Sequence, residues 1–193
     1  VLEEIENSAR FGQDRDVALA HLVDQLNSAA GSKIWKFVSS PDATPADEDV
    51  IRTAIIYRNK AVKPIGESVI LEDEAFDNAR EPLGQAFQKV GGNQKTRFVV
   101  VANHFKSKGS DPKDCSGNAD SGDGQGAWNA DRVDQAKALV SFADQLKKSR
   151  NTQKVLLAGD FNSYAAEDPI LVLAEAGYVD LGAKADSQSY VYG

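Results

Sequence analysis

The residues best placed to do chemistry stand where apolar runs end. Val155-Leu156-Leu157-Ala158-Gly159-Asp160 reads as a buried strand that delivers a carboxylate at its exit, with Gly159 allowing a tight backbone path. Asn162 follows two residues on. In an extended chain, residues two apart point the same way, so Asp160 and Asn162 could face one phosphate. Taken alone, Asp160 reads equally well as a turn or helix cap. His104 closes a second apolar run, Phe98-Val99-Val100-Val101-Ala102, and precedes Lys106 and Lys108. His-Phe-Lys-Ser-Lys is thus a small cationic point that could meet an anionic substrate, although a lysine pair elsewhere would simply be solvated. The other histidine, His21, sits between Ala20 and Leu22 in a helical pattern and reads as structural.

Glu3, Glu4 and Glu6 cluster near a third strand end. A run of charge is usually a solvated face, but carboxylates at a strand exit can also hold Mg²⁺, which takes one or two of them and keeps its waters. One glutamate would suffice. The Gly-rich stretch from Ser107 to Gly126 carries Asp111, Asp114, Asp120 and Asp123, which could bind Ca²⁺. It has no Glu at the twelfth position of an EF-hand loop, so plain flexibility is the favoured reading.

These candidates need elements to carry them. The 193 residues, 41% hydrophobic and 26% charged, fit one globular domain spanning 1–193. A net charge of −7 argues against binding nucleic acid by overall positive charge. A metal ion or a local basic patch would have to oppose that background. No stretch approaches the roughly 18 apolar residues of a membrane span, and no leader pattern is seen. Cys115, the single cysteine, excludes an internal disulfide framework and offers no metal-binding spacing. The chain starts at Val1 and contains no Met, so its natural ends are expected to be missing.

Hydrophobic periodicity predicts a strand tail at Val1–Asn7, an amphipathic helix over Asp16–Ala30 and strands at Ile34–Val38, Val50–Tyr57 and Ala61–Leu71, the last two as a hairpin. A second strand pair, Leu83–Val90 with Arg97–Phe105, turns at Gly91-Gly92-Asn93. A helix over Asn129–Lys148 and a strand over Lys154–Ala158 follow. A short helix near Pro169–Ala176 and weak strands at Tyr178–Leu181 and Ser189–Tyr192 close the chain. Helices and strands alternate in part while hairpins intrude, which indicates an α/β sandwich of mixed sheets.

Together Glu4-Ile5-Glu6-Asn7, Asn103-His104-Phe105-Lys106-Ser107-Lys108-Gly109, Gly122-Asp123-Gly124-Gln125-Gly126 and Gly159-Asp160-Phe161-Asn162, in that order, resemble the endonuclease/exonuclease/phosphatase superfamily, DNase I-like in fold. Within it they resemble the secreted bacterial nucleases. The resemblance implies a four-layer α/β sandwich with two mixed β-sheets and a divalent-metal phosphodiesterase site, served by Mg²⁺ or Mn²⁺. It implies that Glu4 is the metal ligand, with Glu6 as the lesser candidate. By the same resemblance Asp160 orients or deprotonates the attacking water, Asn162 steadies the scissile phosphate, and His104 lies near it. Arg80, in Asn78-Ala79-Arg80-Glu81-Pro82, and Lys106 fall on the substrate side. Arg132 and Gln135 resemble structural positions at the start of the helix before Gly159-Asp160-Phe161-Asn162.

The family also has a first strand, a later Asp before a strand and a terminal Asp-His pair, none of which is found here. The chain is therefore expected to be a partial domain and inactive by itself. The implied function is an extracellular endonuclease with nucleic acid as substrate. A phosphatase or phospholipase of the same fold and a non-catalytic binding module are the alternatives. In the nuclease reading Cys115 could pair with a cysteine outside this chain or remain a free thiol.

Overall fold

The computed structural model describes residues 1–109, 112 and 117–184. Along it run β1 (Leu2–Glu6), α1 (Val17–Ala29), β2 (Trp35–Phe37), β3 (Ile51–Ala54), β4 (Ile56–Arg58), β5 (Val62–Ile70), β6 (Arg80–Lys89) and β7 (Arg97–His104). Then come α2 (Asn129–Arg150), β8 (Val155–Asp160), α3 (Asp168–Glu175) and the short α4 (Leu181–Lys184).

The central sheet has the order β5-β6-β7-β8. Its first three strands are antiparallel neighbours, and β7 and β8 are parallel. A parallel pair needs a long crossover, and α2 supplies it. Alternation along β7 sends Val99 and Val101 to one face, where they meet Ala136, Leu139, Phe142 and Leu146 of α2 and Leu173 of α3. Ala102 points to the other face, against Val38, Ile55, Leu83 and Phe87, with Phe98 and Val100 alongside. Gly84 lets α2 sit close: a Cβ there would come within 2.6 Å of Leu146 Cδ1.

Opposite this sheet lie two antiparallel ribbons, β1-β3 and β2-β4, and α1 packs on β1 and β2, burying Leu19 and Val23. The layers are therefore helix, strands, sheet, helices, the sandwich expected from the sequence. No helix among the described residues is long and apolar enough to cross a membrane.

Three expectations change. Val50–Tyr57 is not one strand but two, β3 pairing β1 and β4 pairing β2, with Ile55 between them accepting a hydrogen bond from Val38 N. The expected hairpin with Ala61–Leu71 does not form. Asn59 ties the turn to the start of β2 instead, its backbone N–H donating to Ile34 O and its side chain to Lys33 O, while β5 takes β6 as its partner. Tyr178–Leu181 is not a strand: Tyr178 N donates to Leu173 O to close α3, and Leu181 begins α4. Ser189–Tyr192, Cys115, Asp111 and Asp114 lie outside the described residues.

Candidate functional site

Strand register places three of the candidate residues in one row. Arg80 on β6 pairs with His104 on β7, and His104 pairs with Asp160 on β8. Paired residues share a face of a sheet, so all three side chains leave the sheet on one side at one edge. That side is the one covered by β1, which lies against the ends of β7 and β8. His104 is buried, and its Nδ1 is 3.2 Å from the backbone oxygen of Glu3, directly joining β7 to the acidic strand. Glu4, the next residue, is exposed. The sequence-predicted metal ligand, histidine, aspartate and arginine thus come from four strands that end or pass at the same edge.

The local backbone explains why β8 ends as it does. Gly159 has φ +136°, and a Cβ on it would run into the carbonyl oxygen of Asn103 on β7, so the strands approach closely because that residue has no side chain. Asp160 is exposed, and its Oδ1 accepts from Asn162 N at 2.8 Å. That leaves Oδ2 for other chemistry. Asn162 holds φ +47°, a left-handed conformation that Asn tolerates better than most residues. It is buried and donates one Nδ2 hydrogen to Phe105 O at 2.9 Å.

The loop after His104 is held from beneath. Arg132, fully buried, donates to the backbone oxygens of Ala127, Gln125 and Lys106. Gln135, equally buried, accepts from Lys106 N through Oε1 and donates to Ala75 O. Burial depresses the pKa of the Arg132 guanidinium even though Glu167 and Asp131 oppose the shift. Lys106 itself reaches over the Trp128 ring, 4.9 Å from its centroid. Lys108 is committed elsewhere, to buried Glu167 at 2.5 Å and to the face of Tyr164.

On the arginine side, Arg80 forms an ion pair with Asp49, its terminal nitrogen 2.9 Å from Oδ2. Asn7, which follows the acidic strand, donates through Nδ2 to Glu48 Oε2 and to Asp49 O, and its N–H donates to Val50 O. Arg15 grips Glu48 through two nitrogens, and Arg52 joins Asp16 at 2.8 Å. Burial, with Arg15 adding repulsion, brings the Arg52 pKa down to about 10. Burial raises that of Glu81, and Glu48 and Asp49 add to the shift.

None of these partners emerges from sequence reasoning; the one available signal was that the acids Asp47, Glu48 and Asp49 stand one residue before β3. In the Gly-rich segment, Asp120 and Asp123 accept from the backbone N–H of Gly122 and Gln125. The Gln125 bond and one from Ser121 hold the exposed Asp123 carboxyl below its usual range. No cluster of three or more His, Cys, Asp or Glu suited to a metal occurs among the described residues.

No family model and no curated protein matches the chain. Solved structures do. The human Nocturnin catalytic domain with bound sulfate anion superposes with a TM-score of 0.54 at 14% identity, over 80% of this chain and 52% of that one. An endonuclease/exonuclease/phosphatase family protein from Bacteroides thetaiotaomicron does so with a TM-score of 0.53 at 14% identity, over 82% and 52%. The fold is DNase I-like. The chain spans about half the length of these two structures. In the DNase I-like sandwich described above, the row Arg80, His104 and Asp160 lies at the edge where β6 begins and β7 and β8 end, with β1 across it.

Proposed function

We propose that this chain carries part of the site of a divalent-metal-dependent phosphodiesterase, most simply an extracellular bacterial endonuclease that hydrolyses DNA or RNA by in-line attack of water. The observation that carries the reading is the row Arg80, His104 and Asp160 across three strands, facing the strand that holds Glu4.

A phosphodiester is anionic and repels hydroxide, so its hydrolysis needs positive charge at the phosphate and a base for the water. Glu4 and Asp160 are exposed hard-oxygen donors at one edge, which suits a hydrated Mg²⁺ or Mn²⁺ that takes one or two protein carboxylates. Bound at Glu4, the ion would supply charge stabilisation of the phosphate and leaving oxygen. Asp160 has Oδ2 to accept a proton from water while Oδ1 is steadied by Asn162 N. Asn162 gives one amide hydrogen to Phe105 O and keeps the other for a non-bridging oxygen. His104 is held at Nδ1 by Glu3 O, which leaves its other ring nitrogen for the phosphate. Lys106 and Arg80 provide the local positive charge that a chain of net charge −7 otherwise lacks.

The test is nicking of supercoiled plasmid by this chain with Mg²⁺ or Mn²⁺, beside EDTA and Asp160→Ala controls. Cleavage that both controls abolish is the expected result for a self-sufficient site. Folded protein that neither cleaves nor, when extended to the full length of its DNase I-like neighbours, gains cleavage would overturn the reading.

A further inference from the structure

Arg80 does not wait at the site without a partner. Its guanidinium forms an ion pair with the Asp49 carboxylate, one terminal nitrogen 2.9 Å from Oδ2, and its Nε is buried with no hydrogen-bond acceptor among the described residues. The two side chains differ in exposure: Arg80 is 20% exposed and Asp49 40%. The backbone around Asp49 is fixed on both sides. Asn7 donates to Asp49 O and Val50 O receives Asn7 N–H, while Glu48 is gripped by Arg15. Val50 N donates to Asp49 Oδ1, so only Oδ2 faces the arginine. The more exposed member of the pair is thus the carboxylate, and the more buried one is the cation in register with His104 and Asp160.

From this geometry we infer that Asp49 is the resident counter-anion of Arg80, a specificity-determining residue whose carboxylate occupies the place of a substrate phosphate and yields to it. The inference rests on the phosphodiesterase reading and deepens it. Arginine favours bidentate oxyanions, and a carboxylate and a phosphate compete for the same fork of N–H donors. A phosphate that takes the same terminal nitrogen of Arg80 displaces Asp49, and its affinity is lowered by whatever that ion pair contributes. Exposed pairs contribute about 0.2–1 kcal/mol, which corresponds to roughly a two- to fivefold change in affinity at its upper part.

The experiment is fluorescence anisotropy of a short fluorescein-labelled oligothymidylate, titrated with the full chain in Mg²⁺, every protein carrying Asp160→Asn so that nothing is cleaved. Asp49→Asn, which retains the acceptor for Val50 N, is expected to tighten binding two- to fivefold. Asp49→Ser provides a second neutral side chain should Asp49→Asn fold poorly. Arg80→Gln is expected to weaken binding, and adding Asp49→Asn to it is expected to change nothing further. Unchanged or weaker binding by both neutral variants overturns the inference. So does tightening that persists in the Arg80→Gln background, since that is general charge removal and not competition for one arginine. If the Asp160→Asn parent binds no oligonucleotide, the phosphodiesterase reading falls and the inference with it.

Discussion

At the scale of single residues the site depends on a few positions whose neighbours leave no alternative. Gly159→Ala places a methyl group against the Asn103 carbonyl at a φ that L side chains rarely adopt. Backbone strain and collision together are expected to cost about 3 kcal/mol, read as a lower urea midpoint with an unchanged m-value. Asp160→Asn preserves shape and removes the base, so turnover of a cleavable diester should fall about 10²- to 10⁴-fold while the thermal midpoint stays put. Glu81 gives a pH prediction. Its folded-state pKa is raised, so the folded chain binds more protons than the unfolded chain between the ordinary carboxylate pKa and the raised value. Stability should therefore fall as pH rises through that window. Glu81→Gln should flatten this part of the stability-against-pH curve and stabilise the protein at neutral pH, and chemical denaturation across pH 4 to 7 checks it. Asp160, Asn162 and His104 were legible because each follows an apolar run, a local pattern. Asp49, Glu48 and Asn7 were not, because their meaning lies in partners 31 to 42 positions away: Glu48 and Asp49 with Asn7, and Arg80 with Asp49.

At the scale of elements, the loop after β7 behaves as part of α2. Arg132 replaces a turn of regular structure with three hydrogen bonds to carbonyl oxygens, and its loss leaves those acceptors unsatisfied in a buried place. Arg132→Met is expected to cost about 3 kcal/mol and to open the segment around Lys106 to limited proteolysis before the rest of the chain. The long amphipathic patterns of α1 and α2 and the continuous apolar runs of β7 and β8 were readable from periodicity alone. The segment 51–58 was not, because its apolar residues serve two ribbons at once, and no local signal says where one partner strand gives way to the other. The hairpin expected between Val50–Tyr57 and Ala61–Leu71 does have a turn at residues 58–60, but Asn59 donates its hydrogen bonds to the β2 entry instead. Turn chemistry identified the turn and left its partners open.

For the molecule as a whole, the two apolar clusters lie on opposite faces of one sheet, with β6 and β7 contributing to both. Neither half can lose its core without exposing the other side of the same strands. A single cooperative urea transition, the same by tryptophan fluorescence and circular dichroism, is the expected outcome. The layered architecture was legible in the order of elements, but the way the layers meet at the site was not.

That meeting has a consequence for how the protein reaches its working form. The bond between the His104 ring and the Glu3 carbonyl joins positions 101 residues apart, and contacts of such long sequence separation are closed only after local structure has met the entropy of the intervening chain. After dilution from denaturant, helical signal should return first. Competence at the site should lag behind it, because the last event to complete the row is the arrival of the amino-terminal strand over sheet ends that are already formed.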